Sequence, residues 1–182
     1  TLNKLCEQIY TPPRTARIYV DKEYGVPFLS GTHITQIIPQ NLKYISKTET
    51  ENLEQYIVHE GDIVIVRVGT MGIVRMIGKD LDGYAVSDNL TIIRVNKKEI
   101  EPEYISAMLY SKIGRTAVKK SSKGSVQHYN TVKAIKAMKI PILAEPEHTQ
   151  IVNFMKDYNK KLGQAVNNIF NFVGIIDSFV GR

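Results

Sequence analysis

Ile63-Val64-Ile65-Val66-Arg67-Val68 is an unbroken, mostly β-branched run bounded by Gly61-Asp62 before it and Gly69-Thr70-Met71-Gly72 after it. It is too short for an independent helix and predicts a buried strand. Ile73-Val74-Arg75-Met76-Ile77 follows at once, so the glycine-flanked tetrapeptide is expected to turn a hairpin, with Gly69 or Gly72 supplying positive φ. Leu90-Thr91-Ile92-Ile93-Arg94-Val95 repeats the strand pattern after the turn-like Lys79-Asp80-Leu81-Asp82-Gly83. The first hundred residues therefore read mainly as sheet.

The period changes at Pro102, which suits the first turn of a helix, and Ile105, Met108, Leu109 and Ile113 then recur at three- and four-residue spacing. This predicts a core-facing helix with a kink at Gly114. Lys119-Lys120-Ser121-Ser122-Lys123-Gly124-Ser125 offers no apolar side chain to bury and is expected to be an exposed, mobile loop. Val132 to Met138 fits one or two helical turns. Lys139-Ile140-Pro141-Ile142 fits a short edge strand, where proline is tolerated.

From Ile151 the apolar or small positions alternate at spacings of four and three: Met155, Tyr158, Leu162, Ala165, Ile169, Phe172, Ile176 and Phe179. Such a heptad pattern predicts a coiled-coil helix whose seam meets a partner. Pro146 and Glu147 suit its N-terminus, where a missing N–H costs little and negative charge meets the positive end of the helix dipole. At ~1.5 Å per residue the helix would project about 45 Å, farther than a small domain covers. The extra apolar Val152, Val166, Val173 and Val180 leave open a second arrangement, in which the helix folds back on its own core.

At 182 residues and 43% hydrophobic content, one sizeable core with an appendage is expected. A lone cysteine, Cys6, provides neither a disulfide nor a thiolate zinc cluster, which suits a reducing, cytoplasmic location. No apolar run approaches the roughly 20 residues of a membrane span, and the expectation is that neither signal peptide nor membrane anchor is present. Opening on Thr1 fits a processed product or a piece of something longer. The net charge is +6, and its distribution says more than its size. From Tyr104 to Ala144 there is no acidic residue but there are eight basic ones, Lys112, Arg115, Lys119, Lys120, Lys123, Lys133, Lys136 and Lys139, leaving sixteen of the 24 basic residues against all 18 acidic ones. A polyanion is the obvious partner, and a merely solvated basic face the alternative.

No catalytic constellation emerges. A nuclease would need clustered carboxylates with a nearby lysine, but neither Asp62 nor Asp88 has one on a following strand, and Asp62 is expected to shape the turn at Gly61. Thr11-Pro12-Pro13-Arg14 has only the prolines of an amino-methyltransferase motif and reads as an extended lead-in. Gly69-Thr70-Met71-Gly72 lacks the spacing and lysine of a phosphate-binding loop, and His33, His59, His128 and His148 lack metal-ligand spacing. Neither metal nor cofactor is expected.

What remains is a binding surface. Lys119, Lys120, Ser122, Lys123, Ser125, Gln127, His128, Tyr129 and Asn130 combine phosphate-seeking lysines with side chains that hydrogen-bond base edges or stack on rings. Thr70 in the hairpin turn and Arg67 and Arg75 on either side of it join the candidate DNA contacts; for the two arginines, alternation allows either a DNA-facing position or an ordinary solvated sheet face.

Phe28-Leu29-Ser30-Gly31, the stretch from Gly61 to Gly72, Gly124-Ser125-Val126-Gln127, and Ile140-Pro141-Ile142 leading to Gln150 occur in an order and spacing that resembles the specificity subunit of type I restriction-modification systems. Thr149 stands where that family usually has an acidic residue, and the linker from proline to glutamine is slightly long. The resemblance implies an α+β architecture: an α/β target-recognition domain with a mixed, strongly twisted sheet over 1–144, followed by a conserved-region helix over 145–182. It implies that the domain grips half of a bipartite site on double-stranded DNA. The helix would pair antiparallel with a second one and so space the half-sites, while separate modification and restriction subunits carry the methyltransferase, translocation and cleavage chemistry. A full family member has two recognition domains and two helices, so one of each implies either a half-subunit that homodimerises or a fragment. Two other readings stay open: the excised recognition lobe of a fused methyltransferase-nuclease, and a coiled-coil assembly protein with a basic head and no DNA role.

Overall fold

The computed structural model describes residues 1–68, 72–120 and 131–180, with the backbone alone at 119, 120, 174, 175, 177, 179 and 180. Eight strands precede Asn96: β1 (Cys6–Tyr10), β2 (Tyr19–Val20), β3 (Gly25–Leu29), β4 (Lys43–Ser46), β5 (Ile63–Val66), β6 (Val74–Met76), β7 (Ala85–Val86) and β8 (Leu90–Val95). Short 3-10 turns fill several of the connections. Four helices follow: α1 (Pro102–Tyr110), α2 (Lys112–Lys120), α3 (Val132–Ala137) and α4 (Glu147–Val180).

The strands form two four-stranded sheets. The first, ordered β1-β8-β5-β6, is antiparallel throughout. The second, ordered β2-β4-β3-β7, is mixed, because β3 pairs in parallel with β7. β5 carries no polar alternation because both of its faces are covered. Ile63 and Ile65 pack with Ile93, Tyr104, Ile105, Leu109 and Ile135 on the helical side, whereas Val64 and Val66 pack with Leu29, Val86, Leu90 and Ile92 toward the second sheet. Period-2 geometry sends neighbours to opposite faces, so a strand between two apolar layers needs apolar residues at every position. A smaller cluster of Phe28, Ile45, Tyr56, Ile57 and Ala85 closes the other face of the second sheet.

The predicted hairpin is present: Ile63, Val64 and Ile65 pair with Met76, Arg75 and Val74. Gly72 has φ +83°, the left-handed conformation glycine enters without a Cβ penalty. The strand ends at Val66, short of the apolar run, and Val68 is exposed.

Four expectations in the helical half need correction. The break lies at Ser111, whose backbone is extended (ψ 163°), and not at Gly114. Gly114 instead lets α2 close onto the end of α1, where a Cβ would stand 2.1 Å from the Met108 carbonyl oxygen. That turn carries Ile113 out of the core to 65% exposure, so it does not continue the buried face of Ile105 and Leu109. The backbone of Lys119 and Lys120 belongs to the last turn of α2 and not to a loop. Residues 139–142 form no strand. The Tyr104 hydroxyl donates to the Pro141 carbonyl at 3.1 Å and accepts from the Leu143 N–H at 2.9 Å, so a buried side chain supplies the partners a sheet would have given.

α4 spans 34 residues and divides into two parts. Val152, Met155 and Val166 are buried, and the Asn159 amide donates to the Met76 sulfur at 3.4 Å, so the first half lies along α1 and β6. Beyond Val166 the described apolar side chains are exposed: Ile169, Phe170, Phe172, Val173 and Ile176. The first half therefore folds back on its own domain, whereas the described apolar side chains of the second half are left uncovered by it.

Candidate functional site

At the C-terminal end of β5 the chain enters the hairpin turn beside the segment Ser87-Asp88-Asn89. The Arg67 N–H donates to the Asn89 carbonyl at 2.9 Å, and among its side-chain contacts Nη1 donates to the Asp88 carbonyl at 3.2 Å. The Asp88 carboxylate, 16% exposed, receives the Arg17 guanidinium on one oxygen, with Arg14 Nε 3.9 Å from the other. Three guanidinium groups thus converge on one acidic residue and leave a local excess of positive charge. Asp88 is not a stranded nuclease carboxylate. Counting charge along the sequence misses Arg14 and Arg17 because two cations make only a small local excess beside the eight of the later stretch, and a further signal is their three-residue spacing after Pro12-Pro13.

Arg75 occupies neither place the sequence allowed it. Its side chain is 11% exposed, donates to the Gln36 carbonyl and at 3.1 Å to the Ile37 carbonyl, and lies 3.7 Å from Asp80. Burial pulls its pKa below the usual arginine value, while Asp80 opposes that pull. Its function in the fold is to tie the 36–37 segment to β6. Thr70, Ser122, Lys123, Ser125, Gln127, His128, Tyr129 and Asn130 lie outside the described residues, and Lys119 and Lys120 are described by backbone only. α2 nevertheless presents Lys112 and Arg115 as exposed cations with no acidic residue in the helix.

Asp62 does more than shape a turn. It accepts the His59 N–H at 3.0 Å while its own N–H reaches the His59 carbonyl at 2.9 Å. Its two carboxylate oxygens also take Arg94 Nε at 3.1 Å and Nη2 at 2.9 Å. This fork raises the Arg94 pKa above its ordinary value, the hydrogen bond to Asp62 being the largest cause. Burial pushes the Cys6 thiol up to about 12, so it stays protonated near neutral pH. Among the described residues no group of three His, Cys, Asp or Glu side chains is placed to hold a metal ion, and no helix is long and apolar enough to cross a membrane. A cleft of about 720 Å³ separates α4 from the segment after β6, and its lining mixes Arg75, Lys79, Lys156 and Lys160 with Glu60, Asp80 and Glu103, so it carries no strong preference for either ionic sign.

Of the predicted seam on α4, Met155 is buried against the domain and Ile151 and Leu162 are half-buried. Tyr158, Ala165, Ile169, Phe172 and Ile176 are exposed, and the Phe179 side chain lies outside what is described. Phe154, 69% exposed, extends the open stripe toward the start of the helix and was not part of the predicted seam.

The sequence matches the family described as type I restriction modification DNA specificity domain over residues 11–169. Solved structures share the fold. The HsdS subunit from Thermoanaerobacter tengcongensis superposes with TM-score 0.59 at 17% identity, covering 98% of this chain and 46% of that one. The S subunit of the type-I restriction-modification system from M. genitalium gives 0.59 at 15% identity, covering 98% and 43%. A chain from a structure addressing complex assembly and conformational transition of the type I R-M system gives 0.57 at 16% identity, covering 97% and 44%. At such identities the likeness is one of fold, and the chain spans less than half the length of each. No curated protein matches the sequence.

Proposed function

Because the chain belongs to the family of type I restriction-modification DNA specificity domains, we propose that it reads part of a double-stranded DNA sequence as a specificity subunit or half-subunit. In this role it does no chemistry itself and directs modification and restriction subunits in the cytoplasm. The family match across 159 residues carries the reading. Two physical features support it: the acid-free basic stretch from Lys112 to Lys139, and a helix with an apolar stripe that its own domain does not cover. In this reading Lys119, Lys120, Ser122, Lys123, Ser125, Gln127, His128, Tyr129 and Asn130, with Arg67 and Thr70, contact the duplex. Lysines neutralise phosphates and position the protein, whereas Gln127 and Asn130 have the paired donor and acceptor that recognise adenine in the major groove.

Selection from a randomised duplex library, by the chain alone and with a modification subunit, at two salt concentrations, tests this. Enrichment of one short motif, or of two at fixed spacing, is the expected result. Binding without enrichment in both conditions would leave a basic scaffold and refute sequence reading.

The exposed half of α4 pairs with a second helix, which for this chain alone is that of another copy. Ile169→Glu, at a position clear of the domain core, is expected to weaken pairing by about 3 kcal/mol, since a carboxylate would be buried without a partner, or about a hundredfold in dissociation constant. Sedimentation equilibrium measures it, and an unchanged association state would assign this stripe to something other than helix pairing.

A further inference from the structure

The cations around Asp88 belong to a longer ladder along the rim of the second sheet. Lys43 Nζ sits 4.8 Å from the centroid of the Tyr19 ring, Tyr19 meets Phe28 edge-on at 6.4 Å, and the Arg17 guanidinium lies 5.0 Å from the Phe28 centroid. Arg17 then reaches Asp88, which Arg14 also approaches. Pairing explains the alignment: Phe28 stands opposite Lys43, and Tyr19 opposite Ile45 two residues on, so all three share one face of the sheet.

The ladder differs from an ordinary basic surface in how its parts are held. Arg17 is fixed twice, by a buried ring and by a carboxylate that is mostly shielded from water. Arg14 is 91% exposed, and its one carboxylate contact is the long 3.9 Å approach to an Asp88 already engaged by Arg17. The result is one guanidinium locked in place beside a second that is largely hydrated, with an exposed aromatic ring and a lysine farther along. The held Arg17 has little conformational entropy left to lose, and its fork of N–H donors beside the hydrated Arg14 cation suits a phosphodiester.

Resting on the DNA-reading role above, we propose that Arg14 and Arg17 form a phosphate clamp on the duplex backbone, with Asp88 as the positioning residue and Lys43 on Tyr19 extending the track. The ladder contacts the backbone and carries no base readout of its own. It is drawn from a part of the sequence separate from the lysine-rich stretch.

The test uses the 182-residue chain and two short labelled duplexes, one of mixed sequence and one carrying the selected motif, across a salt series. Each phosphate contact contributes about 0.9 to the slope of log K against log[salt], which at 0.1 M salt is about eightfold in affinity. Arg14→Ala is expected to lower the slope by about 0.9 and to weaken both duplexes equally. Arg14→Glu alters a side chain in water and leaves the core intact, so it keeps the test decisive if Arg17→Ala disturbs folding. Asp88→Asn adds net positive charge, yet as a loss of positioning it is expected to weaken binding about threefold in the parent and to change nothing in an Arg17→Ala background. Tighter binding by Asp88→Asn would remove its positioning role. Unchanged affinity and slope in Arg14→Ala and Arg14→Glu, with the parent still binding, would overturn the clamp alone. Failure of the parent to bind any duplex would instead remove the DNA reading beneath it. If the variants lost only their association with a modification subunit, the ladder would be a protein contact and the clamp refuted.

Discussion

Tyr104→Ala lowers stability by about 4 kcal/mol and loosens α4 from the domain, the largest effect expected of any single substitution considered for this chain. Tyr104 is fully buried on α1. Its ring stacks on His148 at 4.1 Å with planes 6° apart, its hydroxyl bridges Pro141 and Leu143, and His148 Nε2 lies 3.0 Å from a Glu101 carboxylate oxygen. One side chain therefore joins α1, the strandless 139–143 segment and the first turn of α4. Truncation empties a core site and strips the partners from a backbone carbonyl and an N–H. Tyr104→Phe keeps the ring and loses only the hydroxyl, which is expected to cost about 1–2 kcal/mol. Urea denaturation of both variants, with amide exchange at Leu143 and His148, separates packing from hydrogen bonding. An alanine variant within 1 kcal/mol of the parent would show that the segment holds without this bridge.

The second large effect is expected at Asp62→Ala, about 3 kcal/mol. The carboxylate is 5% exposed and satisfies both Arg94 and the His59 N–H, so its removal leaves a partly buried guanidinium uncompensated and a turn without its acceptor. Arg94 is 28% exposed, so water reaches part of it, which places the cost at the lower end of the range for broken buried pairs. Asp62→Asn keeps an acceptor for the turn and should recover part of the loss. Denaturant midpoints decide the matter. A shift equivalent to less than 1 kcal/mol in the alanine variant would mean that solvent fully replaces the carboxylate.

Elements whose physics is local were legible from sequence. The Ile63–Val66 run, its hairpin partner and the Leu90–Val95 strand were readable because β-branched residues between glycine turns leave few alternatives. The 34-residue helix was equally plain. β2, β4 and β7, at two to four residues each, have no periodicity long enough to register, and they exist because β4 and β7 pair with β3 and β2 pairs with β4 across the chain. Residues 139–142 looked like a strand because their composition permits it, while the decisive partner, the Tyr104 hydroxyl, lies more than thirty residues away. The same limit applies to the site. The lysine-rich stretch is contiguous and announces itself, whereas Arg14, Arg17, Lys43 and Asp88 become one constellation only after the second sheet forms. Arg75 shows the converse: flanking a turn suggested an outward side chain, but carbonyls at 36 and 37 claimed it.

β5 and β8 send alternate side chains into two separate interiors, and Arg14, Arg17, Lys43 and Arg67 contribute to neither. Exposed substitutions away from packing and caps usually change stability by no more than about 0.5 kcal/mol. Arg14 and Lys43, whose side chains stand in solvent, can therefore change at little cost to the fold, whereas Arg17 and Arg67 are held by Phe28, Asp88 and Asn89. The solvent-facing rim is thus free to diverge far faster than the architecture beneath it.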